Sequence, residues 1–515
     1  MNEKRALPHS WVVCELNEVT SDVSYGYTAK SSERKIGPKM LRITDIQNNR
    51  VDWHTVPFCE IPESLKPKYL LHEGDLVFAR TGATVGKSFL ISGDIPESVY
   101  ASYLIRVRTA SKDISDYLGY FFRTPDYWDQ ITDLSSGIGQ PNVNGKKLKS
   151  LKIPIAPLSE QTRIAKRINT LLQKSNKART ALDAIPPLLE KFRQSVLSSA
   201  FRGDLTADWR AQTPDIESAE KLLEHIRKER RKRWEEDELA KMKAKGKTPK
   251  GDKWKDKYKE PEPVDTSDLP ELPGGWCWAA FEELYFNAQN GISKRNSSLG
   301  SLTNVLRLAD IENGRISDFN SRQIKLTELE IEQYQLKHQD IICIRVNGSK
   351  DLVARLVLFD SDTLWTFCDH FIRFRLLLDY VEAGFIVPLF NSEAARNYIQ
   401  IHMVSSAGQN TISQASLRRL PIPLPPREEQ KIISLTIETY DDFVGKIEAI
   451  VAKESKRVST LDQSILAKAF RGELVPQDLN DESASQLLER IKLEKASHET
   501  GKKKRARRGR TAKRL

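Results

Sequence analysis

The chain has 515 residues, 39% of them hydrophobic, which is enough apolar material for about three or four globular units and excludes a disordered polymer. The N-terminal MNEKRALPHSW lacks the apolar core of a signal peptide and no run of about 18 apolar residues occurs, so neither secretion nor a membrane span is expected. The net charge of +11 is concentrated outside the globular parts: Gly501–Leu515 carry +9 and residues 221–260 carry +7, as expected of segments that touch a polyanion.

Taken in chain order, residues 1–157 read as one mixed α/β (α+β) domain. It opens on LPHSW (Leu7–Trp11) and carries the strand-like runs Met40–Ile46, Leu76–Ala79 and Leu104–Val107 and a short helix over Ile114–Arg123. The stretch TGATVGKS (Thr81–Ser88) approaches a phosphate-binding loop. Gly82 and Gly86 are separated by three residues where that loop needs four, so a turn displaying Lys87 is the better reading. Residues 158–204 then read as a long helix. Glu160 and Gln161 lie in its first turn, Gly203 ends it, and Pro186-Pro187 predict a kink or break within it. Residues 205–270 form a basic connector, with a helix over Ser218–Met242 and a Lys, Gly and Pro-rich tether over 244–268.

The second half repeats the first. LPGGW (Leu272–Trp276) returns after 265 residues, LRLADIENGRI echoes LRITDIQNNRV, and DIICIR (Asp340–Arg345) echoes DLVFAR (Asp75–Arg80). DHFIRFR echoes SYLIRVR at an offset of 267, and SSAGQNTIS echoes SSGIGQPNVN. From there the offset settles at 269 through IPLPPREEQ and ILAKAFRGEL. The second domain therefore spans 271–426, with a short helix over Glu393–Met403. The second long helix spans 427–474, and 475–515 hold a short helix, ESASQLLERIKLEK, matching the connector helix, and the basic tail.

Both long helices carry apolar residues at alternating four- and three-residue spacing. The pairing positions are Ile164, Ile168, Leu171, Leu182, Leu189 and Val196 in the first. In the second they are Ile433, Ile437, Tyr440, Val444, Val451, Val458, Leu461 and Ile465. A helix of about 43 residues would extend ~65 Å, too far to lie on its own domain, so the two are expected to pair with each other.

Catalytic signatures are not found in this sequence. It has no Asn/Asp-Pro-Pro-aromatic loop of an amino-methyltransferase, no zincin pattern and no nucleophile elbow, and its eight histidines are dispersed. The five cysteines, Cys14, Cys59, Cys277, Cys343 and Cys368, are scattered singly and fit packed thiols in a reducing cytoplasm. No catalytic residue and no metal ligand is assigned.

The order LPxxW, LRxxDI, SGxxQ (SSAGQ in the second copy), IPxxPxxEQ, long heptad helix and AFRG(D/E)L, found in both halves, resembles the specificity subunits of Type I restriction–modification enzymes, and the resemblance covers nearly the whole chain. It implies two target recognition domains, each reading one half of a bipartite, asymmetric site in double-stranded DNA. It also implies antiparallel coiled-coil helices that set the gap and dock modification subunits, two in number, with restriction subunits beside them. The chain itself would be non-catalytic and cytoplasmic, with no cofactor. S-adenosylmethionine, ATP and magnesium would belong to the partners.

Base edges are read by Arg, Lys, Asn and Gln. In the polar turns, the contact candidates are Arg80, Thr81, Lys87, Gln140, Asn142, Asn144, Lys146 and Lys147 in the first copy. In the second they are Arg345, Asn347, Lys350, Gln409, Asn410, Thr411, Ser413 and Arg418. The same residue types also favour turns and caps. Two other classes stay open: a DNA methyltransferase with a cryptic active site, and a coiled-coil scaffold that binds protein only.

Overall fold

The computed structural model describes residues 7–47, 49–135, 141–247, 249, 251–312, 314–317 and 321–511, with side chains as far as 497. Five helices outside the globular domains carry the argument below: α1 (Leu158–Asp183), α2 (Ile185–Phe201), α3 (Ala219–Ala244), α4 (Arg427–Phe470) and α5 (Ala484–Thr511). The chain divides into two compact units, Met1–Asp183 with Ala452–Leu515 and Ala184–Val451. Each unit thus holds one globular domain, one piece of the first long helix (α1 or α2) and one half of α4.

Unit 1 is built on an antiparallel sheet in the order Thr20–Tyr25, Leu104–Thr109, Leu76–Ala79, Ser88–Leu90. Leu76–Ala79 is apolar on both faces, whereas Leu104–Thr109 carries Arg106 and Arg108 on one face, and Leu76, Phe78, Ile105 and Val107 enter the main core. A second four-stranded sheet (Ser98–Tyr100, Lys39–Leu41, Phe58–Cys59, Ser31–Ser32) closes a smaller core around Leu41, Val77 and Tyr100 with its neighbours. The expected strand over Met40–Ile46 is shorter than its apolar pattern. It ends at Leu41 because Asp45 accepts from the Arg42 backbone N–H (2.8 Å) and turns Ile43–Asp45 into a 3-10 helix. The expected helix over Ile114–Arg123 spans Lys112–Phe121, and a further helix, Pro125–Ser135, follows it.

Unit 2 repeats this plan. Its main sheet runs Tyr285–Asn290, Phe371–Leu376, Ile341–Ile344, Leu356–Leu358, again antiparallel throughout. The end strands of each domain pair antiparallel, Val12 opposite Ile155 and Cys277 opposite Leu424. Each domain thereby delivers its last strand directly to the start of a long helix.

Both helix pairs are antiparallel, because partner numbers fall along α4 and the segment after it as they rise along the first long helix and the turn after it. In unit 1, Arg163 meets Asp481 (2.6 Å), and farther along Ser175 and Arg179 meet Asp462 (2.5 and 2.6 Å). In unit 2, Arg193 donates to Asp441 (3.2 Å), Phe192 packs edge-on to Tyr440, and Thr206 donates to Glu429 (2.5 Å). The first long helix breaks between Asp183 and Ile185, where Pro186 and Pro187 occupy the first turn of α2. Ile164, Ile168, Leu189, Val196, Ile433, Ile437, Val444 and Ile465 are buried, each contributing on the order of 1.5–3 kcal/mol. Leu171, Leu182, Val451 and Val458 are half-buried, and Tyr440 is 36% exposed while packing against Phe192. Leu461 is a correction: it is 53% exposed, and the neighbouring Asp462 turns inward instead.

The connector is also more ordered than a solvated tether. Lys253–Lys257 form a 3-10 turn, and Trp254 stacks on Trp234 of α3 at 6.1 Å between ring centroids.

Candidate nucleic-acid interface

The same arrangement in each unit holds the turns that carry the contact candidates. Its deepest part joins the two most distant motifs of each domain. The Trp11 indole N–H donates to Glu160 (2.9 Å), and Trp276 donates to Glu429 at the same distance. Gln161 and Gln430, the next residues, cap the carbonyls of Ala156 and Pro425. LPxxW and EQ are thus the two sides of one clasp. Burial holds the Glu160 carboxyl above its usual range, opposed by the donors Trp11 and Gln477.

Higher up, the strand pair LIRVR/FIRFR is pinned by one carboxylate. Asp75 receives Arg108 at 2.7 Å and lies 4.0 Å from Arg106, while Asp340 receives Arg375 at 2.9 Å and lies 4.0 Å from Arg373. Burial, reinforced by the neighbouring Arg375, pushes the Arg373 guanidinium down to about 10. Arg42 and Arg307 grip Asp45 and Asp310 in matching 2.7 Å pairs. These arginines belong to the frame rather than to a ligand surface.

The candidate turns sit at the ends of this frame, and many candidates serve the turn itself. In unit 1, Thr81 bridges Asn142, and the Asn144 side chain caps the helix Gly145–Lys149 by accepting from the Lys147 N–H (2.9 Å). The Lys147 ammonium donates to the carbonyls of Leu134 (2.5 Å) and Asn142 (3.2 Å). Lys87 donates to the Ile46 carbonyl (2.6 Å), so this lysine anchors a neighbouring turn. Arg80 lies over the Tyr25 ring at 5.1 Å, and Lys146 is exposed. Gln140 lies outside the described residues.

In unit 2 the equivalent turn is a three-stranded ribbon, Val346–Asn347, Gln409–Thr411 and Val404–Ser406, pairing Val346 with Thr411. Asn410 is buried in it, donating to the carbonyls of Asn347 (3.3 Å) and Gly348 (2.9 Å) and accepting from Ser405 (2.6 Å). The Asn347 side chain accepts from the Ser349 N–H (2.9 Å), and Ser413 caps Gln414–Arg418 as Asn144 caps its counterpart. Arg345 donates to the Asp369 carbonyl (3.2 Å). Lys350 and Gln409 are exposed, and Arg418, also exposed, lies 3.7 Å from Glu282. The surface left for a ligand is therefore centred on Lys146 in unit 1 and on Lys350, Gln409 and Arg418 in unit 2.

The family model for the Type I restriction modification DNA specificity domain matches residues 8–183 and 304–453. The chain belongs to this family. It is 30% identical over 509 residues to the Type I restriction enzyme StySPI specificity subunit of Salmonella potsdam, covering 95% of this chain and 96% of that one. It is 27% identical over 511 residues to the EcoKI specificity subunit of Escherichia coli K12, covering 95% and 97%. Two solved structures share the fold at 17% identity. One is a chain from a type I R-M system complex (TM-score 0.61, 91% of this chain and 99% of that one). The other is the HsdS subunit from Thermoanaerobacter tengcongensis (TM-score 0.51, 92% and 100%).

Within this specificity-subunit frame, sequence reading missed Tyr25 and Asn290. Each sits on the first strand of the main sheet and holds the N-terminus of the capped helix: Tyr25 OH accepts from the Gly145 N–H (3.0 Å), and Asn290 accepts from Gln414 (2.8 Å). The signal was present in the next residues, Gly26 and Gly291, aligned at the 265 offset. A Cβ at either would stand 2.2 or 2.1 Å from the carbonyl oxygen of Ala101 or Cys368, so only glycine fits.

Proposed function

We propose that this chain is the DNA-reading specificity subunit of a Type I restriction–modification complex, each unit reading one half of a bipartite, asymmetric duplex site. The observation that carries this reading is the pairing of one frame with two different surfaces. The Trp–Glu clasp, the Arg–Asp pins and the capped helix recur, while the exposed turn residues differ. A frame that holds its fold constant while its turns vary is suited to presenting two unlike sets of donors and acceptors to base edges.

The long helices would set the gap between the half-sites, as half-site spacing follows geometry in other DNA readers, and would dock two modification subunits. Restriction subunits would complete the assembly. In this reading the chain is non-catalytic and carries no cofactor, and S-adenosylmethionine, ATP and magnesium act on the partners. No helix among the described residues is long and apolar enough to cross a membrane, which fits a cytoplasmic subunit.

The test is methyl transfer to duplex DNA from radiolabelled S-adenosylmethionine. The purified chain alone should transfer nothing, and adding modification subunits should restore transfer at a defined sequence. Transfer by the chain alone would instead make it a methyltransferase, and absence of any sequence-selective DNA retention with the modification subunits present would make it a protein scaffold.

A further inference from the structure

Three consecutive residues of unit 2, Cys368, Asp369 and His370, form the turn between the strands Trp365–Phe367 and Phe371–Leu376. Their backbone is held from several sides. The Cys368 N–H donates to Leu306 (3.1 Å), the Asp369 N–H to Ile292 (3.1 Å), and the Cys368 carbonyl accepts from Phe371 (3.0 Å). On this fixed turn the three side chains converge, with one ligand atom from each all within 4.8 Å of one another. Cys368 is buried, and the other two are half-buried.

The spacing suits a metal ion. Tetrahedral zinc, with bonds of about 2.3 Å to sulfur and about 2.0–2.1 Å to nitrogen and oxygen, needs ligands about 3.6 Å apart for S···N and about 3.4 Å for N···O. Cys368 Sγ lies 3.7 Å from His370 Nδ1, and that same nitrogen lies 3.4 Å from Asp369 Oδ1. Both neighbours thus face one ring nitrogen, as ligands of a common ion do, whereas a proton relay through an imidazole uses its two opposite nitrogens. The shared frame does not require these residues: at the offset of 267, unit 1 has Ala101, Ser102 and Tyr103 in the same turn. A cation already sits against the carboxylate, because Arg295 donates to Asp369 Oδ1 at 2.8 Å.

We propose that Cys368 Sγ, Asp369 Oδ1 and His370 Nδ1 form a binding site for a zinc-class divalent cation, which displaces the Arg295 guanidinium from Asp369. A thiolate, imidazole and carboxylate set suits a borderline-soft ion rather than magnesium or calcium, and leaves a fourth position for water. Burial holds the Cys368 thiol above its usual range, so the incoming ion replaces its proton; thiolate and carboxylate then balance the divalent charge. The bound ion clips together the turn on which Arg345 rests, since the Arg345 N–H donates to the His370 carbonyl (2.7 Å) and its side chain to that of Asp369 (3.2 Å). Ion binding here does not depend on the function proposed above.

The experiment titrates the full chain, free of any histidine tag and reduced with a phosphine, first with Co²⁺ and then with Zn²⁺. The wild-type chain should develop a sulfur-to-cobalt charge-transfer band that saturates at one ion per chain and is bleached by Zn²⁺. C368S should abolish the band. H370Q should weaken binding by more than the roughly 10–100-fold that loss of an outer-shell partner costs. R295Q removes no ligand and should tighten binding, and C277S, at a half-buried thiol outside the cluster, should leave the band unchanged. His370 and Arg295 are both partly exposed, so their variants report on the ion even if C368S disturbs folding. No sulfur band in the wild-type chain, or a band and affinity that H370Q leaves unchanged, overturns the site. Unchanged or weaker binding in R295Q overturns the displacement of Arg295.

Discussion

Gln409 and Asn410 are neighbours on one strand, share the same polar chemistry, and have opposite jobs. Asn410 spends its amide on two backbone carbonyls and its oxygen on Ser405, whereas Gln409 faces solvent. Asn410→Ala should therefore lower the stability of the chain by about 1–3 kcal/mol in urea unfolding, because it leaves the carbonyls of Asn347 and Gly348 without their donor. Gln409→Ala should leave stability within about 0.5 kcal/mol and weaken binding to the recognised duplex in a gel-shift titration. Asp340→Ala should cost about 3–5 kcal/mol, since it removes the carboxylate that pairs with the half-buried Arg375 and lies beside the buried Arg373; the same unfolding curves check it. At this scale the sequence supplied the residue types and the repeated motifs. It did not separate cap from contact, because a turn asparagine and a base-reading asparagine look alike until their partners are seen. The partners lie far away in the chain: Trp11 meets Glu160, and Asn410 meets Asn347.

Among the elements, the repeat of period 265–269, both long helices, the proline break and the connector helix were all legible, because each rests on local spacing repeated twice. The seam between helices was legible only in part. Extrapolating a heptad along α4 places Leu461 inside, but a straight α-helix drifts from a strict 3.5-residue repeat, and the polar cluster Ser175, Arg179 and Asp462 occupies that level. Ile465→Ala should thus cost about 2–4 kcal/mol of stability, and Leu461→Ala no more than about 0.5 kcal/mol, measured by thermal unfolding of the full chain. The ordered connector was not legible either, since Lys, Gly and Pro-rich composition speaks for solvent and conceals the two aromatic residues that dock it.

For the whole molecule, each unit is completed by a segment that follows the other copy's long helix in the sequence. In unit 2, Thr206 and Arg210 cover Glu429, and Ala219, Leu222, Leu223 and Ile226 of α3 enter the core; in unit 1, Gln477 covers Glu160, and Ala484, Leu487, Leu488 and Ile491 of α5 do the same. The four core positions match at an offset of 265, so duplication and exchange together account for the connector helix and its C-terminal copy. Removing Gly501–Leu515, with its +9 charge, should weaken DNA affinity generally and flatten its salt dependence without altering the sequence methylated, as methylome mapping would show. Removing seven residues from each long helix should change the gap between half-sites and leave their identities alone. The most direct measurement of the central claim is selection from a pool of random duplexes by the chain bound to its modification subunits, followed by sequencing. The account predicts two short, unlike motifs separated by one fixed gap. Enrichment of a single motif, of a palindrome, or of two motifs at variable separation would contradict it.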